Sequence, residues 1–409
     1  MKAFRRLVKV HEAVSMLLES FKGLEPPSVD VPLTLSYGRI ASRDIVAPID
    51  VPHFNRSAVD GYALKAELTF GASRDSPKRF KVLSNLDEVG QAQDPLIAIK
   101  VATGQFVPEG FDAVVMSEVA PEVDGFIEVS EPIPPLRNVS VKGEDVKEGT
   151  VIVEKGTVIG PQQMGIMASC GLTKAPVYRK IRVLIVSSGE EVKRPGEALK
   201  NHEIYDSSSF IVYGLVKKYF SQPFIYPKSP IPSSSEEVLE ALHYGLKGFD
   251  VVIFIGGTSV GSRDIIPQVL SSEGELVFHG VAMKPGKPTA ALKIHGKPVF
   301  CLPGPPVSCF FSFIEIVGPL IERMYSLKES VRCKLRARLK RNVPGEVGSR
   351  VYVRVILRES GDGLEAEPIA TGGSSVISSI CKAQGYIVVP EDVDSLSEGE
   401  EVDVHLLVI

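Results

Sequence analysis

Two unalternating apolar stretches, Ile181–Val186 and Asp250–Ile255, constrain this chain more than any other feature. Neither alternates polar with apolar side chains, so neither suits a strand with one wet face. Strands buried on both faces need helical cover, and helical spacing follows them. Asp206–Phe220 sets Ile211, Val212, Leu215, Val216 and Tyr219 on one face, behind a cap at Asp206 or Ser207. Ser234–Lys247 carries serine caps, Asp264–Leu270 tolerates Pro267 in its first turn, and Pro306–Tyr325 reads as one long apolar helix. Pro223–Tyr226, Glu275–His279, Thr289–Ile294 and Pro298–Leu302 read as further strands. The pattern predicts a doubly wound, mainly parallel α/β sheet over 181–328.

The flanks have a different texture. Between Leu33 and Tyr178 the runs are short and β-like, as at Arg43–Ile49, Phe80–Leu83, Ala98–Thr103, Ala113–Met116, Phe126–Val129 and Thr150–Val153. Only Pro161–Cys170 turns helical there. Val331–Leu339, Arg350–Leu357, Gly385–Val389 and Glu401–Val408 predict a small C-terminal barrel or sandwich. At the start, Phe4, Leu7, Val8, Val14, Leu17, Leu18 and Phe21 recur at helical spacing, which predicts an amphipathic helix and not a signal peptide. A chain of 409 residues fits two to four such units.

Composition narrows the function. Lys plus Arg number 46 against 50 Asp plus Glu, so no basic excess points to nucleic acid or an anionic membrane. The longest apolar run is far too short to span a bilayer. Five cysteines, at 170, 301, 309, 333 and 381, include no CxxC pair. They predict buried thiols in a reducing compartment, not a zinc site, and the expected location is cytoplasmic.

Ligands of doubly wound sheets sit beyond the carboxyl ends of the strands. Three loops there are rich in glycine or proline: Ser187–Glu191, Gly256–Asp264 and Leu302–Ser308. Glycine lets backbone N–H groups approach an anion, and helix N-termini favour negative charge. Gly256 and Gly261 have Walker-loop spacing, but Ser262-Arg263 replaces the Lys-Ser/Thr pair, which excludes that kind of nucleotide hydrolase. Lys284-Pro285-Gly286-Lys287-Pro288 is a stiff basic turn suited to an oxyanion or a phosphate. The β-rich region adds turns around Asp60-Gly61, Thr103-Gly104 and Gly143-Glu144-Asp145.

Taken in order, these motifs resemble the molybdopterin molybdenumtransferase family (MoeA and the E domain of gephyrin). The carriers are Pro52…Ser57-Ala58-Val59-Asp60-Gly61-Tyr62-Ala63, Thr103-Gly104…Pro108…Asp112-Ala113-Val114-Val115, Gly143-Glu144-Asp145, Ser188-Gly189-Glu190-Glu191 and Tyr205-Asp206. They continue with Gly256-Gly257-Thr258-Ser259-Val260-Gly261…Asp264, Lys284–Pro288 and Leu302-Pro303-Gly304…Pro306-Val307-Ser308. The resemblance implies a MogA-like molybdopterin-binding domain over 181–328. It further implies a first domain from 1–45 with 146–180, a β-rich second domain over 46–145, and a small C-terminal β-barrel over 329–409. The implied reaction inserts molybdate, or tungstate, into adenylylated molybdopterin, depends on Mg²⁺ and releases AMP. The implied protein is a homodimer whose cleft joins the sheet domain of one subunit to the second domain of the other. The implied partners are a molybdopterin adenylyltransferase and cofactor-receiving enzymes.

Matched by motif, Asp60, Asp145, Glu191 and Asp264 are expected to be catalytic, with Glu191 and Asp264 as Mg²⁺ ligands. Thr103, Ser188, Gly189, Asp206, Gly256, Gly257, Ser259, Gly261, Lys284, Lys287, Pro303, Gly304, Pro306 and Ser308 are expected to bind substrate. The chain departs from the family pattern at Asp206-Ser207-Ser208, at Pro305, and at Pro230-Ile231-Pro232-Ser233, where an aspartate is usual. A non-catalytic molybdopterin-binding or scaffold protein of the same fold is the alternative.

Overall fold

The computed structural model describes residues 7–83, 95–258, 265–328, 333–361, 363–369 and 373–407. The apolar stretches form two adjacent interior strands, the second and third, of a six-stranded sheet. Its order is Gln222–Ile225, Arg182–Ser187, Val251–Ile255, Lys297–Leu302, Ala290–Ile294, Glu275–His279. The first four strands run parallel, the fifth runs against them, and the sixth pairs antiparallel with the fifth. The sheet is thus parallel only over the part covered by crossover helices, as the apolar runs require. Arg182–Ser187 alternates its cover: Val183 and Ile185 enter one core with the helices at 208–218 and 306–324, while Leu184 and Val186 enter another with the helix at 235–248.

The helix Ser208–Lys218 is capped where expected, the Ser209 N–H donating to Asp206 Oδ1 at 3.0 Å. Ser235–Gly248 is capped by Ser234, whose Oγ accepts from the Glu237 N–H at 3.3 Å. The predicted helix at Asp264–Leu270 is described only as Ile266–Ser271. The predicted 306–325 helix is not uniformly α. It runs Pro306–Ser312, widens into a π turn at Phe313–Val317 and resumes at Gly318–Met324. Pro319 explains the widening, because it has no N–H to return to the Glu315 carbonyl. Gly318 is required there: a Cβ would lie 2.7 Å from the Tyr219 ring. Just beyond, the Tyr325 hydroxyl accepts from the Ile181 N–H at 2.7 Å.

The β-rich N-terminal part holds a five-stranded sheet in which Gly61–Leu64 is flanked by Ile97–Val101 and Ala113–Met116. Ser28–Pro32 pairs with Lys174–Tyr178, so the segments on either side of that sheet meet each other. The helix Val10–Ser20 buries Val10, Ala13 and Leu17. Phe4 lies outside the described residues. C-terminally, Arg350–Ser360, Gly363–Pro368, Lys334–Leu339, Glu401–Leu406 and Gly385–Val389 close on themselves as a five-stranded barrel. Met283–Lys284, from the sheet side, pairs along the barrel strand at Arg350 and Val351. Cys170, Cys301 and Cys309 are buried, but Cys333 and Cys381 are exposed, against expectation. Among the described residues no helix is long and apolar enough to cross a membrane.

Candidate active site

Parallel register brings three strand ends level, with Ser187 beside Ile255 and Ile255 beside Leu302. The ladder then continues one rung into the loops. The Ser188 N–H donates to Ile255 O at 2.8 Å, and the Gly256 N–H donates to Leu302 O at 3.0 Å. Gly256 has φ +90°, and a Cβ on it would stand 2.5 Å from Ser188 O. Gly304 lies so close that its Cβ would sit 3.6 Å from Gly256 Cα. Gly304 O also accepts from Ser208 Oγ at 2.7 Å. Ser188, Gly189, Gly256, Gly257, Pro303, Gly304, Pro306 and Ser308 therefore belong to one edge. Ser259, Gly261 and Asp264 lie outside the described residues.

Glu191 and Asp206 join this edge through a short parallel ladder of Val192–Lys193 with Ile204–Tyr205. The Ile204 N–H donates to Glu191 O at 2.8 Å, and the Asp206 N–H donates to Lys193 O at 2.8 Å. Glu191 is exposed, and its two carboxylate oxygens curl over the Gly189 backbone, each 3.2 Å from where a Cβ would be. Asp206 is buried and caps the neighbouring helix. It also borders a cavity of about 430 Å³ with Tyr205, Phe210 and Ile377.

The Lys284–Pro288 turn reaches the same edge, because Ala290 pairs with Cys301 next to the end of its strand. Thr289 fixes the turn, donating its Oγ1 proton to Gly286 O at 2.6 Å or to Ser312 Oγ at 2.7 Å. Lys284 and Lys287 are both exposed. Lys284 Nζ donates to Glu346 Oε2 at 2.7 Å, and that bond holds the Glu346 carboxyl below the usual range.

Asp60 and Thr103 form a second cluster. The Thr103 N–H donates to Asp60 Oδ1 at 2.7 Å, and Thr103 Oγ1 donates to the same oxygen at 3.0 Å. Those two bonds, the backbone one foremost, hold the Asp60 carboxyl below its ordinary value. Gly61 must be glycine, since a Cβ would stand 1.9 Å from Val115 O. The strand-like stretch at 55–58 ties this turn to the Gly143–Asp145 turn. On one side the Gly104 N–H donates to Ser57 O at 2.7 Å. On the other, the Lys142 N–H donates to Asn55 Oδ1 at 2.9 Å. Asp145 is exposed at that turn. Among the described residues no hydrogen bond or ion pair joins this cluster to the sheet edge.

The Asp60 pairing can be tested by titration. A depressed value means that Asp60 stays ionised well into acid and protonates only below the usual carboxylate range. In Thr103→Val the side-chain donor is lost and the backbone donor stays, so the midpoint followed by NMR should rise part of the way back. An unchanged midpoint would remove Thr103 Oγ1 as a cause.

Sequence reading passed over two residues here. Glu346 was assigned no role. Arg354 lies within the strand expected at Arg350–Leu357 and was assigned no role, yet it is 4% exposed, and burial holds its guanidinium below the ordinary value. Its Nε donates to Ser379 Oγ at 3.2 Å, while Nη2 has no partner among the described residues. Its loop neighbourhood reaches the sheet edge, since the Val307 N–H donates to Ser374 O at 3.0 Å. It lies on the Tyr352 face of its strand, away from the barrel core, where the helix Ser378–Lys382 covers it.

Three family models match consecutive parts of the chain. They are the MoeA N-terminal region (domain I and II) over 8–171, a "Probable molybdopterin binding domain" over 184–323, and the MoeA C-terminal region (domain IV) over 336–407. A Methanocaldococcus jannaschii protein named for molybdopterin biosynthesis is 38% identical, over 97% of this chain and 96% of its own. The molybdopterin molybdenumtransferase of Haemophilus influenzae is 32% identical, over 90% of this chain and 92% of its own. The crystal structure of a molybdopterin biosynthesis MoeA protein from Pyrococcus horikoshii is 34% identical. It covers 98% of this chain and 99% of that one, with a TM-score of 0.85. The sheet, the barrel and the glycine-lined edge are thus those of a MoeA-type protein with a MogA-like central domain. The chain belongs to the molybdopterin molybdenumtransferase family, whose work is molybdenum cofactor biosynthesis.

Proposed function

We propose that this chain inserts molybdate, or tungstate, into adenylylated molybdopterin, with hydrolysis of the phosphoanhydride and release of AMP. The observation that carries the reading is the meeting of Ser188–Gly189, Gly256–Gly257 and Pro303–Gly304 at one sheet edge, beside the lysine turn. Backbone approach without side-chain obstruction suits phosphate oxygens, and Lys287 suits a dianion. Arg354 adds a buried cation with an open donor, which favours an anion arriving nearby. Asp60, held ionised by Thr103, and Asp145 are candidates to orient the attacking water.

Mg²⁺ fits the donor chemistry, because Glu191 offers two exposed hard oxygens beside the phosphate-suited loops. No cluster of three metal-ligating side chains occurs among the described residues, so substrate oxygens would complete the shell. When bound, the ion would neutralise the phosphoanhydride charge. Glu191 would hold it, and Asp264 is its proposed second ligand. We assign the four domains to 1–45 with 146–180, 46–145, 181–328 and 329–409, and place the protein in the cytoplasm as a homodimer with clefts shared between subunits.

The test is purified protein with adenylylated molybdopterin and either oxyanion, with AMP followed by chromatography. AMP should appear only when oxyanion is added, stop with excess chelator and return with Mg²⁺. Binding of the adenylylate without any AMP would favour a scaffold instead, and full activity in chelator would remove the metal.

A further inference from the structure

The Lys284–Glu346 contact joins two parts of the molecule that the sequence keeps 62 residues apart. Its two ends differ in freedom. Glu346 sits in a barrel hairpin held on several sides. The Gly345 N–H donates to Asp394 O at 2.7 Å, the Ser349 N–H to Glu346 O at 2.9 Å, and the Gly348 N–H to Glu391 O at 2.8 Å. A Cβ on Gly345 would stand 2.4 Å from Val393 O, so the hairpin packs tightly. The next residue, Arg350, pairs with Glu391 at 3.1 Å and donates its N–H to Ala282 O at 2.9 Å. Lys284, by contrast, ends in an exposed ammonium on a four-carbon stem. Its backbone is fixed by pairing with Val351, while its exposed head is held by the bond to Glu346. Lys287 lies close enough to lower the Glu346 pKa as well.

We propose that Glu346 is a positioning residue that acts as a built-in counter-anion for the lysine turn. It occupies the Lys284 ammonium until an oxyanion dianion draws that ammonium away. This rests on the reading above, that the turn receives the oxyanion. The rigid partner is the carboxylate and the mobile one is the amine, so exchange needs only a rotamer change of Lys284. A resident carboxylate also opposes any dianion at the turn by like-charge repulsion. Oxyanion affinity is thereby kept low, and the barrel sets it although no sheet residue changes.

The test uses the full-length protein and sodium molybdate alone, titrated by calorimetry at low ionic strength. Glu346→Gln keeps the size and an acceptor for Lys284 but removes the charge, and its thermal midpoint confirms folding. It should bind molybdate about two- to fivefold more tightly, a range set by the modest strength of an exposed ion pair. Glu346→Asp, which restores the charge, should return the affinity towards native. In a Lys284→Ala background the gain from Glu346→Gln should shrink, because part of it acts through that amine. Unchanged or weaker binding in Glu346→Gln, or the same gain without Lys284, overturns the proposal. Lys287→Ala separates the two levels. Weakened molybdate binding in that variant keeps the oxyanion at the turn. Native binding in it overturns that reading, and the role of Glu346 with it.

Discussion

A mixed dimer with Asp60→Ala in one subunit and Lys287→Ala in the other is expected to regain up to about half the native rate of AMP release, although each parent homodimer is nearly inactive. The expectation follows from the division of the site. Asp60 is bound into a cluster with Thr103, on turns tied to the one carrying Asp145, while Lys287 stands at the sheet edge. No bond among the described residues links the two within one chain. In a shared cleft, one of the two sites of the mixed dimer carries both lesions and the other carries none. If each cleft were built within a single chain, both would carry one lesion and no activity would return. Subunit exchange, confirmed by mass, followed by the AMP assay decides between the two arrangements.

Gly256→Ala is expected to lower AMP release by more than tenfold and to cost about 1–3 kcal/mol of stability from backbone strain alone. The new Cβ would stand 2.5 Å from Ser188 O, so the methyl must push apart the two loops that form the anion-suited edge. Gly71→Ala is the control. Gly71 has a similar φ of +83°, but nothing lies within 4 Å of its Cβ position, so only the strain is felt. Denaturant melts of both variants, beside the AMP assay, separate strain from collision. Equal effects in the two would show that the Ser188 contact does not matter.

The sheet was legible because its strands announce themselves. Val251–Ile255 has no polar residue in it, and every one of its residues is buried. Ala113–Met116, Phe126–Val129 and Gly385–Val389 were read to the residue, since turn residues bracket each of them. Gly61–Leu64 was missed as a strand because its Asp-Gly start looks like a turn. Gly363–Pro368 was missed because Glu365 and Glu367 face its outer side, where Arg358 and Lys340 pair with them. The glycine loops could be placed from sequence alone, because strand ends locate them. The attachment of Asp60 to Thr103 could not, since it bridges 43 residues through one carboxylate oxygen. Nor could Lys284–Glu346, which depends on how a barrel closes and docks.

The π turn at Phe313–Val317 gives the long helix a reading frame of its own. A π turn is an α-helix holding one residue more than its length needs. The extra residue is absorbed within that turn, so removing one residue between 313 and 317 would let the helix run straight while the later residues keep their faces. Gly318 would still face the Tyr219 ring that requires it, and the Tyr325 hydroxyl would still meet the Ile181 N–H beside the Arg182–Ser187 strand. A single-codon deletion here is the one this helix can absorb, whereas the same deletion within Pro306–Ser312 would act as a frameshift in space, turning each later side chain by about 100° towards the wrong neighbour.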